Sequence, residues 1–238
     1  MKTVLVTGTS GDLGYAIAKT LLAKSYRVIG LSRKVNSYIF VLESNPNYLH
    51  KEFDLIQTDQ IKDLILDFQK SGEKFHGLVN NAAIAYDEIV TNANLNQLNT
   101  SFSINVFSPI MLTKYIIRNM LLNKIKGSIV HISSVSAHTG YKGLSMYAST
   151  KGALEAFSKN TAREWGEIGI RSNCVVPGFM ETKMSGALTS NQKNRIYKRT
   201  SMKKDTSIES VAETVAFLIS DKSISITGQN IHVDNGTI

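Results

Sequence analysis

The sequence predicts a doubly wound α/β fold: a mostly parallel sheet of about seven strands with helices on both faces. Three observations carry that prediction. Short β-rich runs alternate with longer amphipathic stretches along nearly the whole chain. A glycine-rich turn joins the first strand to the first helix. No low-complexity linker, long charge block or repeat interrupts the alternation, so residues 1–238 read as a single domain.

The elements follow in order. Lys2–Thr7 is apolar and β-branched and reads as a strand. Leu13–Lys24 is rich in Ala, Leu and Lys and reads as a helix. Arg27–Leu31 is a second strand and Tyr48–Phe53 a weaker third. Thr58–Lys70 carries apolar residues at 61, 64, 65 and 68, which is helical spacing. Gly77–Asn80 is a short buried strand. Leu98–Asn123 is largely helical, with a break or bend expected near Pro109. Ser128–Ile132 is a strand. Ser145–Trp165 is a long helix supported by Ala148, Ala153, Ala156 and Ala162. Ile170–Val176 is a strand that Pro177-Gly178 stops. Glu209–Ile219 is a helix and Asn230–Val233 a final strand.

Composition narrows the function classes. The chain has 238 residues, 42% hydrophobic and 19% charged, ordinary values for a soluble globular protein. Lone Cys174 excludes an intramolecular disulfide and fits a reducing compartment. No apolar run approaches the ~20 residues of a membrane span, and the apolar stretch at the N-terminus is too short for a signal-peptide core. A cytosolic protein is expected. The net charge of +8 fits a nucleic acid, an acidic protein or a phosphorylated ligand. Its Lys and Arg are scattered and not interleaved with aromatics, so a general composition bias explains it and no nucleic-acid role is expected. There is no CxxC pair, and the five histidines show no i, i+4 pairing, so no metal site is expected.

Thr7-Gly8-Thr9-Ser10-Gly11-Asp12-Leu13-Gly14 follows the first strand and opens the first helix. Small residues here let the backbone approach a pyrophosphate, and the helix N-terminus supplies N–H donors. The plain alternative is a tight turn with capping residues. An acidic residue about 20 positions on would read a ribose 2′-hydroxyl. Here the second strand ends Ser32-Arg33-Lys34, and no Asp or Glu occurs between Asp12 and Glu43. Arg33 can pair with a 2′-phosphate, with Ser32 adding a hydrogen bond and Lys34 more charge, which favours NADP(H) over NAD. The alternative is that Arg33 and Lys34 are ordinary solvated loop charges.

Tyr147-Ala148-Ser149-Thr150-Lys151 places a phenol and an ammonium four residues apart, one helical turn, with Ser134 thirteen positions upstream. A tyrosine titrates near pH ~10 and is a poor acid–base catalyst at neutral pH. A nearby cation stabilises the phenolate and lowers that pKa. A serine hydroxyl can hold a carbonyl oxygen within reach of both. Together they suit proton transfer during carbonyl–alcohol interconversion.

Nearly end to end, these residues resemble the short-chain dehydrogenase/reductase family, whose fold is of the Rossmann type. Thr7-Gly8 through Gly14 resembles its TGxxxGxG turn, and Asp54-Leu55 its adenine-contacting Asp–aliphatic pair. Asn80-Asn81-Ala82-Ala83 resembles its NNAG motif. Asn105, Ser134, Tyr147 and Lys151 resemble its catalytic tetrad. Pro177-Gly178-Phe179-Met180-Glu181-Thr182 resembles its PG…T loop beside the nicotinamide, and Ile226-Thr227-Gly228-Gln229 with Val233-Asp234 its C-terminal signature. The PGFMET loop and the C-terminal region look closest to the beta-ketoacyl-acyl-carrier-protein reductase branch. Three departures stand out. Asp12 occupies the place of a middle glycine, where a carboxylate would repel a pyrophosphate unless it points away or caps the helix. Ala83 and Asn235 also replace glycines, Ala83 adding a methyl beside the cofactor.

The resemblance implies an NADPH-dependent ketoreductase. Tyr147 would protonate the forming alkoxide, Lys151 would lower the Tyr147 pKa and hold the nicotinamide ribose, Ser134 would hold the carbonyl oxygen, and Asn105 would hold a water leading to solvent. Gly8, Ser10, Asp12, Leu13, Gly14, Ser32, Arg33, Asp54, Leu55, Asn81, Ala82, Ala83, Tyr147, Lys151, Pro177, Gly178, Met180 and Thr182 would contact the cofactor. His138, Tyr141 and Leu144 lie between Ser134 and Tyr147 and would line the substrate pocket with them. Residues 183–205 would form a substrate lid. From Thr182 to Lys204 that region holds seven basic residues and no acid, which suits an acidic carrier protein, a CoA thioester or a phosphorylated sugar, or else a solvated helix face. The leading substrate is a 3-oxoacyl thioester. The alternatives are a sugar or secondary metabolite, and, more remotely, an idle nucleotide-sensing regulator. A homodimer or homotetramer is implied by the family alone.

Overall fold

A computed structural model of the protein describes residues 1–186 and 188–237, with Met184 described by its backbone alone. Seven strands, β1 (Thr3–Thr7), β2 (Arg27–Ser32), β3 (Tyr48–Glu52), β4 (Phe75–Asn80), β5 (Ser128–Ile132), β6 (Arg171–Pro177) and β7 (Asn230–Val233), form one sheet. Their order is β3-β2-β1-β4-β5-β6-β7, and every neighbouring pair is parallel. The helices are α1 (Asp12–Ala23), α2 (Ser37–Glu43), α3 (Ile61–Lys70), α4 (Leu95–Phe102), α5 (Ser108–Leu122), α6 (Ser145–Trp165), α7 (Ser190–Tyr197) and α8 (Ile208–Ile219).

Strand periodicity builds the two-sided core. In β1, Val4 and Val6 face one cluster and Leu5 the other. Val79 and Val130 join the first cluster, with Ile17 and Leu21 of α1 and Val211 and Val215 of α8. Leu78 and Ile129 join the second, with Ile61 and Ile65 of α3 and Leu112 and Ile116 of α5. Both faces of a parallel sheet must be covered, which is why these strands read as unbroken apolar runs. The strand order reverses between β1 and β4, and the crevice above that switch point is where such sheets bind ligands. No helix among the described residues is long and apolar enough to cross a membrane.

Two helices lie outside the elements read from periodicity, and one runs differently. α2 spans 7 residues, too few to display a helical repeat; Asn36 caps it by accepting from the Ile39 N–H, and Ile39 and Leu42 are buried. α7 buries none of its residues and so carries no apolar stripe; a reciprocal Thr189/Gln192 cap starts it. The long helix before β5 begins at Leu95 and is broken just ahead of Pro109 by a π-helical turn, Ser103–Phe107. Pro109 has no N–H to give the Asn105 carbonyl, and its ring crowds that carbonyl in a regular helix.

Candidate active site

The glycine turn is shaped by close backbone contacts. Gly8 adopts φ +75, and a Cβ on Gly14 would sit 2.1 Å from the Gly8 carbonyl oxygen. Thr7 ties this turn to the end of β4: its Oγ1 accepts from the backbone N–H of Asn81 (3.0 Å) and Ala82 (2.9 Å), and its carbonyl accepts from Asn81 Nδ2 at 2.8 Å. Asn36 Nδ2 donates to the Ser10 carbonyl at 2.8 Å, fastening the stretch after β2 to the same turn. Arg33 in that stretch is exposed and makes no hydrogen bond or ion pair with any described residue, so its guanidinium is available. Ser32 is buried and donates to the Lys34 carbonyl at 3.1 Å.

Asp12 does not cap α1. Gly11 holds the N-cap position, and the Asp12 carboxylate points away, accepting from the Tyr38 hydroxyl at 2.9 Å and from the Lys183 backbone N–H at 2.7 Å. The Asp12 hydrogen bond holds the Tyr38 phenol above its ordinary pKa. Tyr38 stacks on Tyr15 with ring centroids 4.5 Å apart, and Lys183 Nζ lies 4.7 Å from the Tyr38 centroid.

Ser134 follows β5 and starts a short 3-10 turn over Val135–Ala137. Its Oγ accepts from the Ser136 N–H at 3.2 Å and from the Ser136 hydroxyl at 3.0 Å. With both lone pairs engaged, the Ser134 O–H is left to donate outward. On α6, Lys151 is only 2% exposed, and its Nζ donates to the Ile132 carbonyl at 2.7 Å. Burial pushes the Lys151 ammonium down to about 8. Its Nζ stands 5.5 Å from the Tyr147 ring centroid.

Burial, with the Asp87 carboxylate adding to it, pushes the Tyr147 phenol up to about 12. The lowering expected from Lys151 is therefore not what this arrangement produces: desolvation of the phenolate and the Asp87 charge both raise the value. No described residue hydrogen-bonds the Tyr147 hydroxyl, and Tyr147 lines a cleft.

Asn105 sits in the π turn with its side chain fully used. Its Oδ1 accepts the Ile84 N–H at 2.9 Å, and its Nδ2 donates to the Ile84 carbonyl at 2.9 Å and to Thr150 Oγ1 at 3.1 Å. The side chain clamps the backbone after β4 and is not placed to hold a water.

A single cleft of about 780 Å³ unites most of the residues singled out from the sequence. Gly8, Ser10, Gly11, Asp12, Leu13, Gly14, Ser32, Arg33, Asp54, Leu55, Asn81, Ala82 and Ala83 line one part. Ser134, Tyr141, Leu144, Tyr147, Lys151, Pro177, Gly178, Met180 and Thr182 line the rest. Asn105 and His138 do not line it. His138 is a correction: its ring points to Glu155 (Nε2 to Oε1, 2.9 Å) and meets His232 edge-on at 4.7 Å, because the buried Glu155 carboxylate needs donors.

The segment 183–205 borders the cleft through Lys183, Ser185, Leu188 and Ile196; Ala187 within it lies outside the described residues. Its charges are partly spent. Lys193 pairs with Glu181 at 3.2 Å, Arg199 lies 5.7 Å from the Tyr141 ring centroid, and Lys203 donates to the Lys198 carbonyl. Asn235, in place of a family glycine, adopts φ +58, a left-handed conformation that Asn tolerates best after Gly. Its Nδ2 donates to the Asp205 carbonyl at 2.6 Å.

Sequence reading missed Ser136, Thr150 and Glu155, which touch the tetrad or its neighbours. A serine two residues after Ser134 was the one visible signal, since Ser side chains hydrogen-bond locally.

The chain is similar in sequence and fold to known proteins. A family model described as enoyl-(acyl carrier protein) reductase matches residues 8–237. The 3-oxoacyl-(acyl-carrier-protein) reductase FabG of Escherichia coli strain K12 is 35% identical over 240 residues, 99% of this chain and 96% of the relative. A solved 4-hydroxyisoleucine dehydrogenase complexed with NADH superposes with TM-score 0.95 at 26% identity, covering 100% of this chain and 98% of that one. A putative 2-deoxy-D-gluconate 3-dehydrogenase from Agrobacterium tumefaciens with bound NADP gives TM-score 0.92 at 25% identity, covering 99% and 96%.

Proposed function

Because the chain belongs to the short-chain dehydrogenase/reductase family of oxidoreductases, we propose that it is an NADPH-dependent ketoreductase acting on 3-oxoacyl thioesters carried by an acyl-carrier protein. The observation that carries this reading is the continuity of one cleft. It is lined at one end by the glycine turn and Arg33, and at the other by Ser134, Tyr147 and Lys151.

The residues present fit a dinucleotide. The turn has no side chain at Gly8 or Gly14 to block a pyrophosphate, and the unengaged Arg33 can pair with a 2′-phosphate. Asp12, the one carboxylate in the turn, is spoken for by Tyr38 and Lys183. NADPH supplies the hydride when bound. Lys151 uses one N–H on Ile132 and keeps two for the nicotinamide ribose. Ser134 donates its hydroxyl to the substrate carbonyl oxygen and stabilises the charge that develops there. Tyr147 then protonates that oxygen. The phenol is protonated at neutral pH, the state from which it can donate. The proton is resupplied from solvent through Lys151, one helical turn beyond Tyr147, while the Asn105 side chain, committed to Ile84, fixes the backbone after β4.

The solved 4-hydroxyisoleucine dehydrogenase and putative 2-deoxy-D-gluconate 3-dehydrogenase support one second reading: oxidation of a secondary alcohol on a sugar or hydroxy acid by the same residues. Cysteine usage supports a cytosolic setting, and family membership supports a homodimer or homotetramer.

Fluorescence titration with NADPH, followed by turnover of β-ketoacyl thioesters, sugar acids and simple ketones, tests the proposal. We expect micromolar NADPH binding and the highest kcat/KM on carrier-protein thioesters, falling steeply with salt. Turnover confined to sugar acids, or insensitive to salt, would reject the carrier-protein substrate.

A further inference from the structure

Glu155 is a carboxylate buried within the protein, 7% exposed, two helical turns beyond Tyr147 on α6. A charge in that position must be satisfied by donors. Its Oε1 accepts from the Ser133 hydroxyl in a very short contact and from His138 Nε2 at 2.9 Å. Its Oε2 accepts from Asn230 Nδ2 at 2.7 Å.

Ser133 and His138 are the two ends of a six-residue segment. The middle of that segment holds Ser134 and the Ser136 groups that orient it. One turn earlier on the same helix, Lys151 holds the carbonyl of Ile132, the residue before Ser133. Positions 147, 151 and 155 therefore share one face of α6 and meet the end of β5 in succession.

We propose that Glu155 is a positioning residue for the reaction: by clasping Ser133 and His138 it sets the Ser134 hydroxyl opposite Tyr147. The inference rests on the ketoreductase reading. A misplacement of about 1 Å at the reacting groups costs roughly a hundredfold in rate, so the clasp has leverage without touching substrate.

The variants follow from the geometry. Glu155→Leu removes every acceptor. Glu155→Gln keeps the acceptor for Ser133 and His138 and turns the other oxygen into a donor. Asn230 Oδ1 has no hydrogen-bond partner among the described residues, so a flipped Asn230 amide can accept from it. Ser133→Ala removes one limb of the clasp from a residue small enough to leave packing intact.

With acetoacetyl-coenzyme A as the probe, we expect Glu155→Leu to lower kcat by about a hundredfold while leaving the NADPH dissociation constant within about twofold. Glu155→Gln should recover most of that loss, and Ser133→Ala should lower kcat by about tenfold. The double variant Ser133→Ala/Glu155→Leu should be little worse than Glu155→Leu, because the two act as one unit. A folded Glu155→Leu protein with wild-type kcat would overturn the proposal, as would Glu155→Gln as impaired as Glu155→Leu. If Glu155→Leu does not fold, Ser133→Ala decides: unchanged kcat overturns it. Failure of the wild type to reduce any ketone would sink the ketoreductase reading instead. The clasp is then judged by a crystal structure of Ser133→Ala, where an unmoved Ser134 hydroxyl rejects it.

Discussion

Asp12 Oδ2 accepts the backbone N–H of Lys183 at 2.7 Å, joining the glycine turn to the start of the basic segment 171 positions further along the chain. A hydrogen bond to a charged acceptor contributes about 1.5–3 kcal/mol. Asp12→Ala should free the basic segment, and trypsin should cleave within residues 183–204 about tenfold faster. Asp12→Asn keeps an acceptor and should cleave at the wild-type rate. Equal cleavage of all three would show that the tether does not restrain the segment.

Arg33 carries the choice of nucleotide. Its guanidinium engages no described residue, so its removal costs the protein little and the 2′-phosphate much. Arg33→Ala should weaken NADPH by about tenfold to a hundredfold and NADH by less than about threefold. Equal losses for both nucleotides would mean that Arg33 does not read the 2′-phosphate.

Tyr147→Phe removes the transferable proton and keeps the ring. General acid catalysis contributes about 10²–10⁴-fold, so kcat should fall at least a hundredfold while fluorescence titration gives an NADPH dissociation constant near wild type. Turnover within tenfold of wild type would remove Tyr147 from its role.

Lys151 makes folding stability depend on pH with a definite sign. Its ammonium titrates at about 8 in the folded protein against an ordinary value of 10.5. Between those values the unfolded chain holds the proton and the folded chain does not. Stability therefore rises with pH through that window, with a slope approaching about 1.4 kcal/mol per pH unit. The same contribution is absent below pH 8, where both states are protonated. Chemical denaturation of Lys151→Met should lack this rise. The comparison is best made below pH 9, because Cys174, held at about 12 against 9.0, and Tyr147, held at about 12 against 10.0, contribute the opposite slope above it. An identical pH dependence in both proteins would refute the assignment.

Local spacing settled a large part of this protein before any contact was seen. The β-α alternation determined the layered parallel sheet, since strand and helix periods are properties of neighbouring residues. The turn from Thr7 to Gly14, the i, i+4 pair Tyr147/Lys151 and the upstream Ser134 were legible for the same reason, and Gly8, Gly14, Ser134, Tyr147 and Lys151 all line one cleft. Two short helices escaped because seven or eight residues with few or no buried positions show no period.

What only the tertiary structure decided is where the polar side chains go. Asp12 could have capped α1 but reaches Lys183; His138 lay in the right stretch for a pocket but turns to Glu155. Asn105 spends its amide on Ile84, 21 positions back, and Asn230 meets Glu155 across 75 positions. Such pairs form because a buried polar group must find a partner wherever the packed sheet places one. Sequence spacing carries the backbone's periods, and those long-range partnerships exist only once strands and helices have docked.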